Sequence, residues 1–162
     1  SIHQLAGELF KQRTGTSMVH IPYRGASPAI TDLMSGQVKV SFATIGPAAP
    51  FVKQGKVRAL GVTSDSEVPA LPGVKSIGAQ GVSGYDAQGY FVLVGPKGMD
   101  AATVQTLNRA LNSALREPAF RERLAALGIN TAPTSPQDTQ AQVQKDFQRW
   151  GKLIRELGLR FE

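Results

Sequence analysis

Short apolar runs alternate with helix-spaced apolar positions along the first part of the chain. Ile30, Leu33 and Met34 share one face of a predicted helix, and a second helix is predicted from Pro47 to Gly55. The predicted strands around these helices are residues 18–21, 38–42 and 57–62. Because strand and helix alternate at short intervals, the pattern predicts an α/β fold with a parallel sheet and right-handed crossovers.

The helix between the first two strands has signals at both ends. Ser27 is predicted as its N-cap, Pro28 suits the first helical position, and Gly36 closes the helix. The loop before it, residues 23–26, carries a tyrosine, an arginine and a glycine. Unpaired N–H groups and the positive end of the helix dipole meet there, which suits a carboxylate. The alternative is a tight connection without a ligand.

The second part of the chain is richer in helix. Residues 90–94 predict a buried strand, Asp100 predicts a helix N-cap, and Pro118 predicts the start of another helix. Ser135 begins a long final helix. Its apolar stripe is Val143, Phe147, Trp150, Ile154 and Leu157. A stripe facing the core is favoured over one that binds a partner helix.

Composition narrows the class of protein further. The 162 residues fit one domain or a piece of a larger one, and no run reaches the ~20 apolar residues of a membrane span. Cysteine is absent, which excludes disulfides. The net charge is +6, but the lysines and arginines are scattered and form no basic block. We therefore do not predict nucleic-acid binding.

The chain carries no recognisable catalytic or metal-binding constellation. The two histidines, His3 and His20, have no cysteine or acid at metal-ligand spacing. A complete phosphate loop and a Gly-x-Ser-x-Gly elbow are also missing. The loops after the predicted strands, residues 23–27, 44–47 and 63–66, hold hydroxyls, backbone N–H groups and one arginine, in the position where α/β sheets bind ligands. We predict binding without enzymatic activity, metal or cofactor.

Several motifs resemble those of one family. His20-Ile21-Pro22-Tyr23-Arg24-Gly25 is followed by an Ala-Ile-Thr-Asp-Leu run at 29–33, Gly-Gln-Val at 36–38 and a Gly-Lys-Val-Arg-Ala-Leu-Gly run from 55. Together they resemble the tripartite tricarboxylate transporter substrate-binding proteins, also called the Bug family of periplasmic solute receptors. The resemblance extends essentially from Ser1 to the end of the chain.

The resemblance implies a periplasmic-binding-protein-like fold, with a parallel sheet flanked by helices in each of two lobes. Residues 1–84 would form the second lobe with its ligand-cleft loops. Residues 85–162 would belong to the first lobe, whose opening strands are not in this sequence. Family members are longer, so we expect a fragment of an exported, periplasmic protein; a signal peptide is not recognisable in these residues.

The family also implies a ligand and a partner. The ligand would be a small carboxylate-bearing solute (a di- or tricarboxylate, an amino acid or a related compound), delivered to a membrane permease. The implied ligand-binding residues are Ser1, Tyr23, Arg24, Gly25, Ala26, Ser27, Thr44 and Ser64. The Arg24 side chain is free to point outward, which would leave backbone N–H groups to hold the anion.

Two other classes remain open: a non-catalytic interaction module and a polyanion-binding basic domain. The predicted strand at residues 90–94 would lack neighbours in a fragment, and an apolar strand edge tends to pair with another chain. We therefore expect an oligomer or a strand-exchanged assembly.

The resemblance also implies that part of the ligand cleft is not in this sequence. We therefore expect the isolated chain to bind carboxylate-bearing solutes no tighter than about millimolar.

Overall fold

The computed structural model describes residues 1–65 and 67–159, which contain six α-helices and one 3₁₀ turn. The helices are α1 (Ile2–Thr14), α2 (Ala26–Met34), α3 (Ile45–Lys53), α4 (Ala101–Arg116), α5 (Pro118–Ala126) and α6 (Pro136–Glu156), and the 3₁₀ turn is Gly78–Gln80. None of the described helices is both long and apolar enough to cross a membrane.

The starts of α4 and α6 agree with the predictions. Asp100 caps α4 by accepting a hydrogen bond from the Thr103 N–H at 2.9 Å. Ser135 caps α6 in the same way, accepting from the Asp138 N–H at 3.0 Å. At the other end of a helix, Gly15 closes α1 with φ 67°, a conformation that glycine adopts at little cost.

The predicted N-cap of α2 is wrong. The helix begins at Ala26, and Gly25 is the N-cap with φ 110° and ψ 176°. Ser27 is exposed within the first turn, where its carbonyl accepts from the Thr31 hydroxyl at 3.1 Å. Glycine adopts this positive φ at little cost, so the N-cap lies two residues earlier than the predicted Ser27. Pro28 remains in the first turn, where a missing N–H leaves no intrahelical bond unmade.

The predicted strands do not form ladders in the described residues. The segments concerned are residues 18–21, 38–42, 57–62 and 90–94. A single parallel bridge joins Val62 to Ser76, with the Ile77 N–H donating to the Val62 carbonyl at 2.9 Å. Helices close their hydrogen bonds within one segment, whereas a strand needs a neighbour at the right distance.

The described chain divides into two compact units. The first comprises Ser1–Gly89 with Leu124–Ile129, and the second comprises Tyr90–Arg123 with the residues from Asn130 onward. How these segments are assigned to the lobes of a receptor remains a prediction.

One core cluster of the first unit packs against α3. Its buried members are Ala49, Val62, Val68 and Leu71, with Ile45, Val52, Ala59 and Val74 partly buried around them. Residues Leu124–Ile129 join this unit at the start of α3, where a Cβ added to Gly46 would lie 2.5 Å from the Leu127 carbonyl oxygen. Close approach of the two backbones therefore requires glycine at this position.

A second cluster lies on α1. The Phe10 ring contacts Phe42 and Tyr85, with ring centroids 6.0 and 6.1 Å apart. The hydroxyl of Tyr85 donates to the Ala6 carbonyl at 2.9 Å, and Tyr85 is buried. This buried bond attaches α1 to the chain 79 residues later.

The described residues of the second unit form little apolar core. Leu153 on α6 is buried, but Phe147 on the predicted core-facing stripe is 80% exposed. Phe91 and Val94 are also 85% and 80% exposed, so residues 90–94 are not the buried strand that the sequence predicts. No sheet lies beneath these side chains in the described residues, so they have no apolar surface to pack against.

Candidate ligand-binding site

Three helices of the first unit begin at one cavity of about 620 Å³. The N-caps of α1, α2 and α3 are Ser1, Gly25 and Thr44, and all three residues line this cavity. The first N–H groups of a helix have no intrahelical acceptor, and the helix dipole is positive at this end. The part of the cavity at these three residues, which we call the mouth, therefore favours an anion.

The mouth lacks side-chain caps on two of its helices. The Ser1 hydroxyl accepts from the Gln4 N–H at 3.4 Å, but neither Gly25 nor Thr44 caps its helix with a side chain. The leading N–H groups of α2 and α3 are therefore positioned to donate to oxygens of a ligand.

A histidine joins two of the helix starts. His3 Nε2 and Thr44 Oγ1 lie 2.9 Å apart, connecting the first turn of α1 to the N-cap of α3. Partial burial, with a contribution from the charged Ser1 amino group, lowers the pKa of His3 below its ordinary 6.5. The imidazole is therefore mainly neutral at pH 7 and can share a hydrogen bond with the hydroxyl.

Tyr23 lines the cavity, but its hydroxyl is already engaged. It donates to Asp32 Oδ2 on α2 at 2.7 Å, and this bond raises the pKa of Tyr23 above its usual value. The hydrogen bond fixes the loop before Gly25 to the helix that follows it. Tyr23 therefore holds the loop in place at the wall of the cavity.

The structure gathers part of the predicted set. Gly25 and Ala26 line the cavity together with Ser1, Tyr23 and Thr44. Three predicted residues do not line it: Arg24 and Ser27, which are exposed, and Ser64, which is half-buried. The outward placement of Arg24 leaves the anion-binding capacity of the mouth to backbone N–H groups and hydroxyls.

Sequence reasoning missed His3 and the deeper walls of the cavity. His3 lies two residues after the N-cap Ser1, a position in the first turn of a helix that could have marked it as a mouth residue. The deeper walls are residues 18–21, 38–43 and one face of α1. Lys11 on that face pairs with Glu8 at 2.8 Å and donates to the Met18 carbonyl at 3.2 Å, so its charge is already compensated.

The chemistry of the mouth is that of binding. Hydroxyls, backbone N–H groups and one neutral imidazole can orient an anion and share protons with it. Among residues 1–65 and 67–159, histidine and acidic side chains form no cluster of three that could hold a metal ion.

The family model of the tripartite tricarboxylate transporter family receptor matches residues 1–159. The chain belongs to this receptor family. Among curated members, protein BugT of Bordetella pertussis is 32% identical over 158 residues, which are 98% of this chain and 48% of BugT. A Pseudomonas sp. protein described as UPF0065, from the tcbD-tcbE intergenic region, is 37% identical over 160 residues, or 98% of this chain and 47% of the relative.

Solved structures agree with this assignment. An R. palustris protein solved with adipate superposes with a TM-score of 0.86 at 30% identity, covering 98% of this chain and 53% of that one. MatC from Rhodopseudomonas palustris, solved with bound malate, gives a TM-score of 0.74 at 25% identity, covering 95% and 53%. The fold is that of periplasmic binding proteins, and the chain spans about half the length of these relatives.

Proposed function

We propose that this chain is the ligand-binding part of a periplasmic, non-enzymatic receptor for a small carboxylate-bearing solute, which it would deliver to the membrane permease of a tripartite transporter. The observation that carries the proposal is that Ser1, Gly25 and Thr44 begin three helices at one cavity. Two structural relatives were solved with dicarboxylates, adipate and malate. A carboxylate matches the donors that this mouth presents.

In the proposed receptor the mouth residues have different roles. The N–H groups that follow Gly25 and Thr44 would bind one carboxylate, with the hydroxyls of Ser1 and Thr44 as further donors. Tyr23 would hold the loop through Asp32, and Ala26 would leave room for the ligand. Arg24, Ser27 and Ser64 lie outside the cavity lining, and Arg24 would act on the ligand only through its positive charge.

The wider architecture is part of the same proposal. Residues 18–21, 38–42 and 57–62 would be parallel strands of the second lobe, formed by residues 1–84, and residues 85–162 would return to the first lobe. A receptor of two lobes closes on its ligand and excludes water. One lobe alone leaves the bound carboxylate exposed, so we expect affinity no better than about millimolar.

The direct test is NMR with the ¹⁵N-labelled chain. We expect adipate, malate, citrate or glutamate at tens of millimolar to shift the amide signals of the first turns of α2 and α3. The neutral diol 1,6-hexanediol, which matches adipate in length, serves as the control and should leave these signals in place. Shifts with none of the four acids, or equal shifts with the diol, would contradict the proposal.

A further inference from the structure

Thr44, the N-cap of α3, does not cap its own helix. A threonine at an N-cap ordinarily accepts a hydrogen bond from an N–H group two or three residues into the helix. Thr44 makes no such bond, although its φ of −66° and ψ of 137° are extended as an N-cap requires. Its Oγ1 lies 2.9 Å from His3 Nε2 instead, across 41 residues of sequence. The hydroxyl of Thr44 is therefore held by a different helix.

The first turn of α3 has few N–H groups to offer. Its third residue is Pro47, which has no N–H, so the donors that precede the intrahelical ladder are those of Ile45 and Gly46. A capping Thr44 hydroxyl would occupy the Gly46 N–H, because the proline removes the alternative donor. Since Thr44 contacts His3 instead, its hydroxyl takes neither donor from a ligand in the mouth.

The position of the proton on His3 decides what the Thr44 hydroxyl can offer. The lowered pKa keeps the imidazole mainly neutral at pH 7, and a neutral ring carries its proton on one of two nitrogens. A proton on Nε2 is donated to Thr44 Oγ1, which leaves the hydroxyl proton free for another acceptor. A proton on Nδ1 makes Nε2 the acceptor of the hydroxyl proton, and Thr44 can then only accept from a ligand.

A carboxylate distinguishes between these two arrangements. Its oxygens only accept hydrogen bonds, so it is bound by a hydroxyl that donates and not by one that accepts. His3 and Thr44 are both exposed and both line the cavity at the mouth, so a solute can reach the contact between them. A bound carboxylate therefore favours the proton on Nε2.

We propose that His3 is a positioning residue of the ligand site: its Nε2–H holds Thr44 Oγ1 away from the first turn of α3 and directs the hydroxyl proton towards a carboxylate in the mouth. The inference rests on the proposed function, because it states how one donor of that site is oriented. It assigns His3 no contact with the solute. The effect of His3 on binding passes entirely through Thr44.

Two substitutions of His3 separate positioning from packing. His3→Leu removes the ring nitrogen, and the Thr44 hydroxyl should then turn to the Gly46 N–H. His3→Gln restores an N–H donor at a similar reach. We expect His3→Leu to weaken malate binding by about fivefold, as for the loss of one hydrogen bond, and His3→Gln to bind within about twofold of the parent chain.

Thr44→Val supplies the second side of a double-mutant cycle. In the parent chain it should weaken malate binding by about fivefold, because one donor to the carboxylate is lost. In the His3→Leu chain it should cause no further loss, because the hydroxyl that it removes no longer faces the ligand. Titrations followed by NMR would measure the four chains, and the two losses should be strongly non-additive.

Two NMR signals report the arrangement without relying on affinity. The ¹⁵N shifts of the imidazole identify the protonated nitrogen, and three-bond couplings to the Thr44 methyl group identify its rotamer. At about pH 8, where the imidazole is neutral, we expect excess malate to convert His3 fully to the Nε2–H form. Sodium chloride at the same ionic strength is the control and should not. The Thr44 rotamer should differ between the parent and His3→Leu.

Specific outcomes overturn the proposal. An Nδ1–H form of His3 in the presence of malate would show that Nε2 takes the proton that Thr44 is proposed to donate, and this readout needs no variant to fold. Equal affinities of the parent and His3→Leu, or losses at His3 and Thr44 that simply add, would overturn it as well. In these cases malate would still shift the amide signals of α2 and α3, and the proposed function would stand. Absence of those shifts in the parent chain would overturn both.

Discussion

At the scale of single residues, a few side chains and one glycine set the geometry of the mouth. Gly25 adopts φ 110° at the start of α2, and a Cβ added there would meet no atom within 4 Å. The requirement for glycine is therefore conformational in this structure, and crowding plays no part. Arg24 beside it is exposed and outside the cavity lining.

This difference leads to a prediction for binding. Gly25→Val should abolish the adipate-induced amide shifts at α2, because a branched residue disfavours the positive φ that aims the N–H groups. Arg24→Ala should weaken binding by less than about threefold, as expected for an exposed charge in water. Titrations followed by NMR would measure both variants, and a greater loss with Arg24→Ala would show that the guanidinium holds the ligand.

His3 makes the stability of the chain depend on pH. Its pKa is lowered in the folded state by burial and by the Ser1 amino group, so the unfolded chain binds more protons at pH values below about 6.5. The contribution of His3 is therefore complete above that pH and is lost as the pH falls towards the folded-state pKa. His3→Gln should flatten this part of the profile.

Denaturant unfolding between about pH 7.5 and 5 would measure these profiles. The His3→Gln variant should lose less unfolding free energy on acidification than the parent chain does. Identical slopes for the parent and His3→Gln would show that the contact between His3 and Thr44 does not set the pH dependence.

At the scale of elements, the helix ends are specified by nearby residues, whereas the positions of the helices depend on a few contacts between distant parts of the chain. The return of residues Leu124–Ile129 to the start of α3 is one such point. The Leu127 carbonyl approaches Gly46, and Gly128 has φ 73° next to Ile45. The position of the α3 start, and with it Thr44, depends on this backbone contact.

Substitution of Gly46 should therefore be costly. An added Cβ at 2.5 Å from the Leu127 carbonyl oxygen forces the two backbones apart. We expect Gly46→Ala to lower the unfolding free energy by about 2 kcal/mol, in the range of overpacking changes. The matched control is Gly89→Ala, whose Cβ would meet Ile2 at an ordinary 3.5 Å. Urea unfolding would compare the two, and equal effects would contradict this role for Gly46.

The predicted elements show which features local sequence can specify. The starts of α4 and α6 were correct because Asp100 and Ser135 bond to N–H groups three residues away. The predicted start of α2 is wrong. Ser27 and Pro28 form a plausible local start signal, but the positive φ of Gly25 allows the helix to begin at Ala26. The predicted strands do not form ladders in the described residues, because strand hydrogen bonds depend on segments far apart in sequence.

At the scale of the whole molecule, exposed apolar surface is concentrated in the second unit. Phe91, Leu93 and Val94 are 85%, 64% and 80% exposed, and Phe147 on α6 is 80% exposed. Neighbouring apolar side chains in extended backbone tend to pair with other chains. The purified chain should therefore self-associate.

Light scattering across protein concentrations would measure this association. We expect the average mass to rise above the 17.2 kDa of one chain as concentration increases. Phe91→Lys combined with Val94→Lys should return the mass towards that of a monomer, because charge on an open edge opposes pairing. A monomeric parent chain with one cooperative, high-temperature melt would contradict the expectation.

The sequence by itself determined helices α2 to α6, the starts of α4, α5 and α6, and the family to which the chain belongs, since helical hydrogen bonds and caps lie within four residues of one another. Only the tertiary structure decided that Ser1, Gly25 and Thr44 open on one cavity, and that His3 reaches Thr44 across 41 residues. It also shows that residues 18–21 and 38–42, which the sequence pattern assigns to one sheet, share no backbone hydrogen bond in the described residues. Such contacts join distant parts of the chain, and their formation depends on which neighbours are present to satisfy each backbone group.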